Sequence, residues 1–142
     1  MPGEFSNKGS ELALNAIAGQ YATPFGGSNQ TRYLALLTAV PTDTSTGSTI
    51  TEPGAGTGYT RQAVTFSSPS GDPVEISNSG AVSFTFSGTI PGGGVTVTHW
   101  AVVSATTAGD VLAHGSWDTS RSVTTTGDVL QAAAGALKIR CD

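Results

Sequence analysis

The sequence predicts an all-β fold: an antiparallel β-sandwich, jelly-roll-like or immunoglobulin-like, preceded by a short N-terminal helix. Three observations carry this prediction. Runs of strand length with alternating apolar residues recur from residue 31 to the end. They are separated by Gly, Pro, Asn and Asp turn chemistry, with no helical crossover of the kind parallel strands require. The 19 Gly, 7 Pro, 16 Ser and 21 Thr fill 63 of 142 positions, which leaves few helix formers.

The first segment is the exception. SNKGSELALNAIA (6–18) carries Leu12, Leu14 and Ile17 with alanines between them, and Gly19 follows as a C-terminal cap. This spacing predicts a helix over roughly residues 7–18. Gly9 weakens its first turn by about 1 kcal/mol relative to alanine, so the helix needs something to pack against. Residues 1–30 therefore form an arm with a short helix, and residues 31–142 form the sandwich.

TRYLALLTA (31–39) sets Tyr33, Ala35 and Leu37 against Leu34 and Leu36, the pattern of a strand covered on both faces. Pro41 ends it. The polar stretch 42–58 is long for a connection and is expected to be an interaction loop. TRQAVTF (60–66), VEIS (74–77) and AVSFTF (81–86) follow as short strands, with SSPSGDP and Asn78-Ser79-Gly80 as breaks. In VTVTHWAVVS (95–104), strict alternation places Val95, Val97, His99, Ala101 and Val103 on one face and Trp100 and Val102 on the other. VLAHGSWD (111–118) and RSVTT (121–125) read as two strands, and VLQAAA and ALKIRC complete the set. The expected core comprises positions 34, 36, 64, 66, 82, 84, 86, 95, 97, 100, 102, 112, 130, 137 and 139, enough to support a stable fold at about 25 cal/mol per Å2 of buried apolar surface.

Composition excludes several functions. Lys and Arg number 6 against 10 Asp and Glu, a net charge of -4, and the basic residues are scattered, so no stripe exists to neutralise phosphates and no nucleic acid partner is expected. No apolar run reaches the roughly 18 to 20 residues of a membrane span, and the start lacks the apolar centre of a signal peptide, which predicts a cytosolic product and no membrane partner. One cysteine and two histidines fit no zinc spacing, so no metal and no cofactor is expected. Cys141 is expected to continue the apolar face of Leu137 and Ile139.

Catalytic constellations are equally thin. His99, His114, Asp110 and Asp118 fall within strands or near their ends, and no Gly-x-Ser-x-Gly elbow surrounds any serine. Asp43, Glu52, Asp72, Asp110, Asp118 and Asp128 sit at loops or turns, where the side chain commonly shapes the turn. The glycine stretches 54–58 and 92–94 lack the Gly-Lys-Ser/Thr end of a phosphate loop. No enzymatic activity is expected. Trp100, Trp117 and Tyr59 offer flat surfaces that a sugar could stack on, which makes a carbohydrate-binding module one alternative.

YLALLTAVPTD (33–43), GTGYTRQAVTF (56–66), ISNSGAVSF (76–84), VTHWAVVSATTAGDVLAHG (97–115) and GDVLQAAAGALKI (127–139) together resemble a family of small tailed-phage virion proteins, whose members are labelled tail fibre or head decoration (cement) proteins. The matching residues are strand cores and turns: Thr38, Pro41, Gly58, Tyr59, Arg61, Asn78, Thr98, His99, Gly109 and Gly135. Lys138, Arg140 and Cys141 depart from the Thr and aliphatic residues of similar proteins. The resemblance implies a β-sandwich structural protein of a double-stranded DNA phage particle without enzymatic activity.

The function expected on this basis is capsid decoration: binding the outer head surface, bridging major capsid protein subunits and stabilising the assembled shell by linkage. Association with other copies as a dimer or trimer would add avidity. A tail fibre or baseplate component is the alternative. Pro2, Phe5 and Leu12 in the arm, Thr49 and Ile50 in the long loop, and Arg32 and Arg61 as sources of inter-subunit ion pairs are the expected partner-binding residues.

Overall fold

The computed structural model describes residues 7–20 and 29–141. It contains a helix α1 (Asn7–Ile17), strands β1 (Arg32–Leu37), β2 (Gln62–Val64), β3 (Val74–Ser77), β4 (Val82–Thr85), β5 (Val95–Val103), β6 (Val111–Val123), β7 (Val129–Ala132) and β8 (Lys138–Cys141), and a 3-10 turn at Ala55–Thr57. The strands form a four-stranded sheet in the order β2-β1-β5-β6 and two pairs, β3-β8 and β4-β7, all antiparallel. The pairs β3-β8, β4-β7 and β5-β6 are nested in sequence, as in a hairpin rolled up on itself. The fold is all-β and antiparallel with a short helix, as expected.

One core lies between the four-stranded sheet and the two pairs. Leu34, Leu36, Val64, Val97, Trp100 and Val102 meet Ile76, Phe84, Phe86, Leu130, Leu137 and Ile139 there. Leu14 of α1 and Ala18 just after it join them, and α1 lies over β3 and β8. The helix thus gains the packing surface that its weak first turn requires. It ends as expected: Gly19 takes φ +78°, its N–H donates to Ala16 O at 3.1 Å, and the N–H of Gln20 reaches Asn15 O at 2.8 Å.

β1 is covered on both faces. Ala35 and Leu37 form a second, smaller core with Ala101 and Val103, and Ile50 from the long loop packs over them. The loop 42–58 is therefore a lid on the outer face of the sheet. Thr38 N–H donates to Thr51 O at 2.9 Å, Gly47 N–H to Gly109 O at 2.8 Å, and Thr46 forms a bridge with Asp110.

Two irregularities correct the strict alternation read from the sequence. Between Val97 and His99 the register of β5 against β6 jumps, so the facing parity changes: Val95, Val97, Trp100 and Val102 all join the main core, and only Ala101 and Val103 remain on the other face. A second shift, between Val102 and Val103, leaves Leu112 as the unpaired residue of β6, half-buried instead of central. The other expected core positions are buried. Residues 111–118 and 121–125, expected as two strands, belong largely to the single strand β6.

Gly115 faces Trp100 across β5 and β6, and a Cβ there would lie 2.6 Å from the indole ring. The absence of a side chain lets Trp100 lie across the neighbouring strand. Buried Asn78 fastens two turns: its Nδ2 donates to Gly80 O at 2.9 Å and Ala133 O at 2.8 Å, and its Oδ1 accepts from Leu137 N–H at 2.9 Å. In β8, Lys138 and Arg140 point outward while Ile139 and half-buried Cys141, with Leu137 just before the strand, pack on the core. The two cations meet the Glu75 carboxylate on β3, Lys138 at 3.3 Å and Arg140 by a hydrogen bond. Lys138 and Arg140 thus pair across the β3-β8 ladder.

Candidate interaction surfaces

The most elaborate polar cluster pins the loop 42–58. Arg61, immediately before β2, is buried, and all of its N–H groups are used. Nε lies 3.0 Å from Glu52 Oε1, Nη2 lies 2.8 Å from Glu52 Oε2 and 2.7 Å from Gly47 O, and Nη1 donates to Ala105 O at 2.9 Å and Ala108 O at 2.8 Å. One guanidinium thereby joins the long loop at two points to the turn after β5. The hydrogen bond to Glu52 holds Arg61 protonated above its ordinary range.

Tyr59 completes the cluster. Its hydroxyl donates to Glu52 Oε1 at 2.7 Å and accepts from the Leu36 N–H at 2.9 Å. The β1–β2 ladder stops at Leu34 opposite Gln62, so the phenol supplies the partner that a longer β2 would have given. The ring stacks on Phe84 and Phe86 at 5.9 and 6.0 Å. Burial first, and then the Glu52 charge, push the phenol well above the usual tyrosine pKa. Glu52, expected to shape a turn, is instead the anion at the centre of this cluster. No residue spacing in the sequence announces the Glu52, Tyr59 and Arg61 triplet.

The loop so held presents a hydroxyl-rich rim. Thr42, Thr44, Thr46, Ser48, Thr49 and Thr51 are exposed. Thr49 Oγ1 accepts from Thr46 N–H at 2.8 Å and closes a tight turn with it. Thr49 is thus available at the surface, whereas Ile50 is turned inward on the second core.

Arg32 is also buried. Its Nε donates to Ile17 O at 3.0 Å, Nη2 to Ala16 O at 3.0 Å, and Nη1 to Gln30 at 3.1 Å. It caps the C-terminal carbonyls of α1, where a cation is favoured. Expected as sources of inter-subunit ion pairs, Arg32 and Arg61 both work inside the chain. Arg32 holds α1, and Arg61 holds the long loop through Gly47 and Glu52. Leu12 lies on α1 with its side chain outside the described residues, as are Pro2 and Phe5 altogether.

Trp117 is no exposed platform: it is 9% exposed and belongs to the main core, with Arg121 lying 5.0 Å over its ring. Trp100 is buried as well, and the Tyr59 ring is stacked inside. Among the described residues no group of three or more His, Cys, Asp or Glu is placed to hold a metal ion, and no helix is long and apolar enough to cross a membrane. His114 Nε2 lies 3.7 Å from the exposed Asp43 carboxylate, and His99 Nδ1 contacts Thr98 Oγ1 at 2.9 Å.

The described residues thus form a small all-β module with a clasped, hydroxyl-coated loop. The chain belongs to the family described as Podophage GP4 fiber I protein gp80, whose family model matches residues 4–140. It is a phage virion structural protein. No curated protein matches the chain.

Proposed function

We propose that this chain is a structural subunit of the phage fibre, that it assembles through protein contacts with other copies of itself, and that it catalyses no reaction. The single observation that carries this reading is the fibre family match over residues 4–140. That match supports the fibre reading over decoration of the head and bridging of the major capsid protein, the leading expectation from sequence.

The surface suits such a role. Few ionised groups means little charge to desolvate when two copies meet, and hydroxyls pair readily as donor or acceptor. The Arg61 clasp fixes the loop 42–58 before any partner arrives, so less conformational entropy is lost on contact. Repetition of one weak contact along a fibre then gives avidity.

Copy number tests the assignment. Quantitative mass spectrometry of purified particles should find few copies of this chain relative to the major capsid protein. A stoichiometry of hundreds per particle would return it to the head surface.

A further inference from the structure

β6 closes one side of the four-stranded sheet, and β5 is its only strand partner among the described residues. At 13 residues it is about twice as long as the usual strand of ~6 residues, whereas β2 at the opposite edge has three. The outward N–H and C=O groups of so long an edge are a template for another strand. His114, Ser116 and residues 118–122 are exposed along it.

The first half of this edge borders open space. A groove of about 350 Å3 is lined there by Val111, Leu112, Ala113 and His114 with Ile17 and Ile139, among others. Leu112, set out of the ladder by the register shift, is half-buried and belongs to neither core. Further along, residues 117–120 lie opposite Thr98 alone and have no ladder partner on β5. The charges that commonly guard an edge are also few. Residues 111–123 hold no proline, lysine or glutamate, and Asp118 balances Arg121, so the strand is neutral in a chain of net charge -4. Two copies can meet here without the repulsion that their net charges would otherwise bring.

We propose that β6 pairs antiparallel with β6 of a second copy across a twofold axis at Ser116. This names the surface for the self-association proposed above and rests on that reading. In such a pair two residues meet only when both lie on the same face of the strand, so their numbers differ by an even count. An axis at Ser116 sets His114 of each copy opposite Asp118 of the other, which makes two complementary pairs. An axis at Asp118 would set carboxylate against carboxylate. Exposed Asp118 has no hydrogen bond or ion pair among the described residues, and His114 Nε2, at 3.7 Å from Asp43, is beyond hydrogen-bond length. Both groups are therefore available to a partner. This match arises when the strand meets itself, which favours a second copy over an unrelated strand. A twofold contact closes at two copies, so the pair is the repeating unit and a different surface extends the fibre.

Small-angle X-ray scattering of the full chain, as its concentration is raised to the millimolar range that tethering in a fibre provides, should show monomers converting to dimers. His114→Asp sets carboxylates opposite one another and should weaken the dimer about tenfold. Adding Asp118→Lys should restore it, and only between copies, because positions 114 and 118 are ~13 Å apart along one extended strand. A cysteine on the axis meets its own copy, so Ser116→Cys should oxidise to a linked dimer faster than Thr85→Cys on β4, both with Cys141→Ser. Should His114→Asp not fold by circular dichroism, this cross-link still tests the axis. A dimer unchanged by His114→Asp, no recovery with Asp118→Lys, or equal cross-linking rates would each overturn the proposal while self-association stands. A parent that stays monomeric would overturn both.

Discussion

Arg61 and Glu52, nine residues apart in sequence, meet in a fork, with Nε at 3.0 Å from Oε1 and Nη2 at 2.8 Å from Oε2. Side-chain exposure is 4% for the arginine and 20% for the glutamate, so water screens the pair little. The same guanidinium also holds three loop carbonyls. The pair is therefore a joint between loops, and the surface offered by residues 42–58 depends on it.

Arg61→Ala removes every one of these bonds and leaves Glu52 half-enclosed without its cation. A loss of about 3 kcal/mol is expected in chemical denaturation, the usual cost of breaking a buried ion pair from one side. Hydrogen exchange should rise at Gly47 and Thr38, whose N–H groups donate to Gly109 O and Thr51 O, while the amides of β5 stay protected. A variant as stable as the parent would show that the clasp contributes nothing.

Tyr59→Phe orphans the Leu36 N–H and should cost about 1 to 3 kcal/mol. It also predicts a pH dependence. The folded-state pKa of Tyr59 is raised above its unfolded value of 10.0, so the associated stability is complete below that value and is lost as pH rises beyond it. Denaturation midpoints measured from pH 8 to 11 should fall at the alkaline end in the parent and fall less in Tyr59→Phe. Equal slopes would contradict the placement of the phenol.

Acid should destabilise through two other groups. Arg140 first, and then Lys138, hold Glu75 below its ordinary pKa, and the Thr124 and Thr125 amides at 3.0 Å do the same for Asp128. Both folded-state values are depressed, so their contribution is present above the unfolded pKa and disappears as pH falls below the carboxylate range at about 4. Thermal unfolding between pH 6 and 3 should show this fall, and Glu75→Gln with Asp128→Asn should flatten it.

Gly115→Val forces a side chain against the Trp100 ring, which has core on its other side. Overpacking of this kind costs about 1 to 3 kcal/mol, and the near-ultraviolet circular dichroism of the tryptophans should change with it. Unaltered spectra and stability would mean that Trp100 has room to move away.

Much of the fold was legible in local pattern. The double coverage of β1 follows from apolar residues at every position from Leu34 to Leu37, and the end of α1 follows from Gly19. Strict period-two reading failed in β5 and β6 because register shifts insert residues that alternation cannot count, which reversed the face of Val95 and Val97 relative to Ala101 and displaced Leu112. The polar clusters were less legible still. Arg32 and Arg61 read as surface cations because charge usually stays in water, whereas here helix and loop carbonyls surround them. Those acceptors are backbone atoms brought close only by the finished fold, so no side-chain motif records them.

Cryo-electron microscopy of the intact phage particle tests the central claim most directly. Density fitting this all-β chain should occupy a fibre, with neighbouring copies in contact. Density for it on the capsid shell instead, or on no part of the finished particle, would contradict the account.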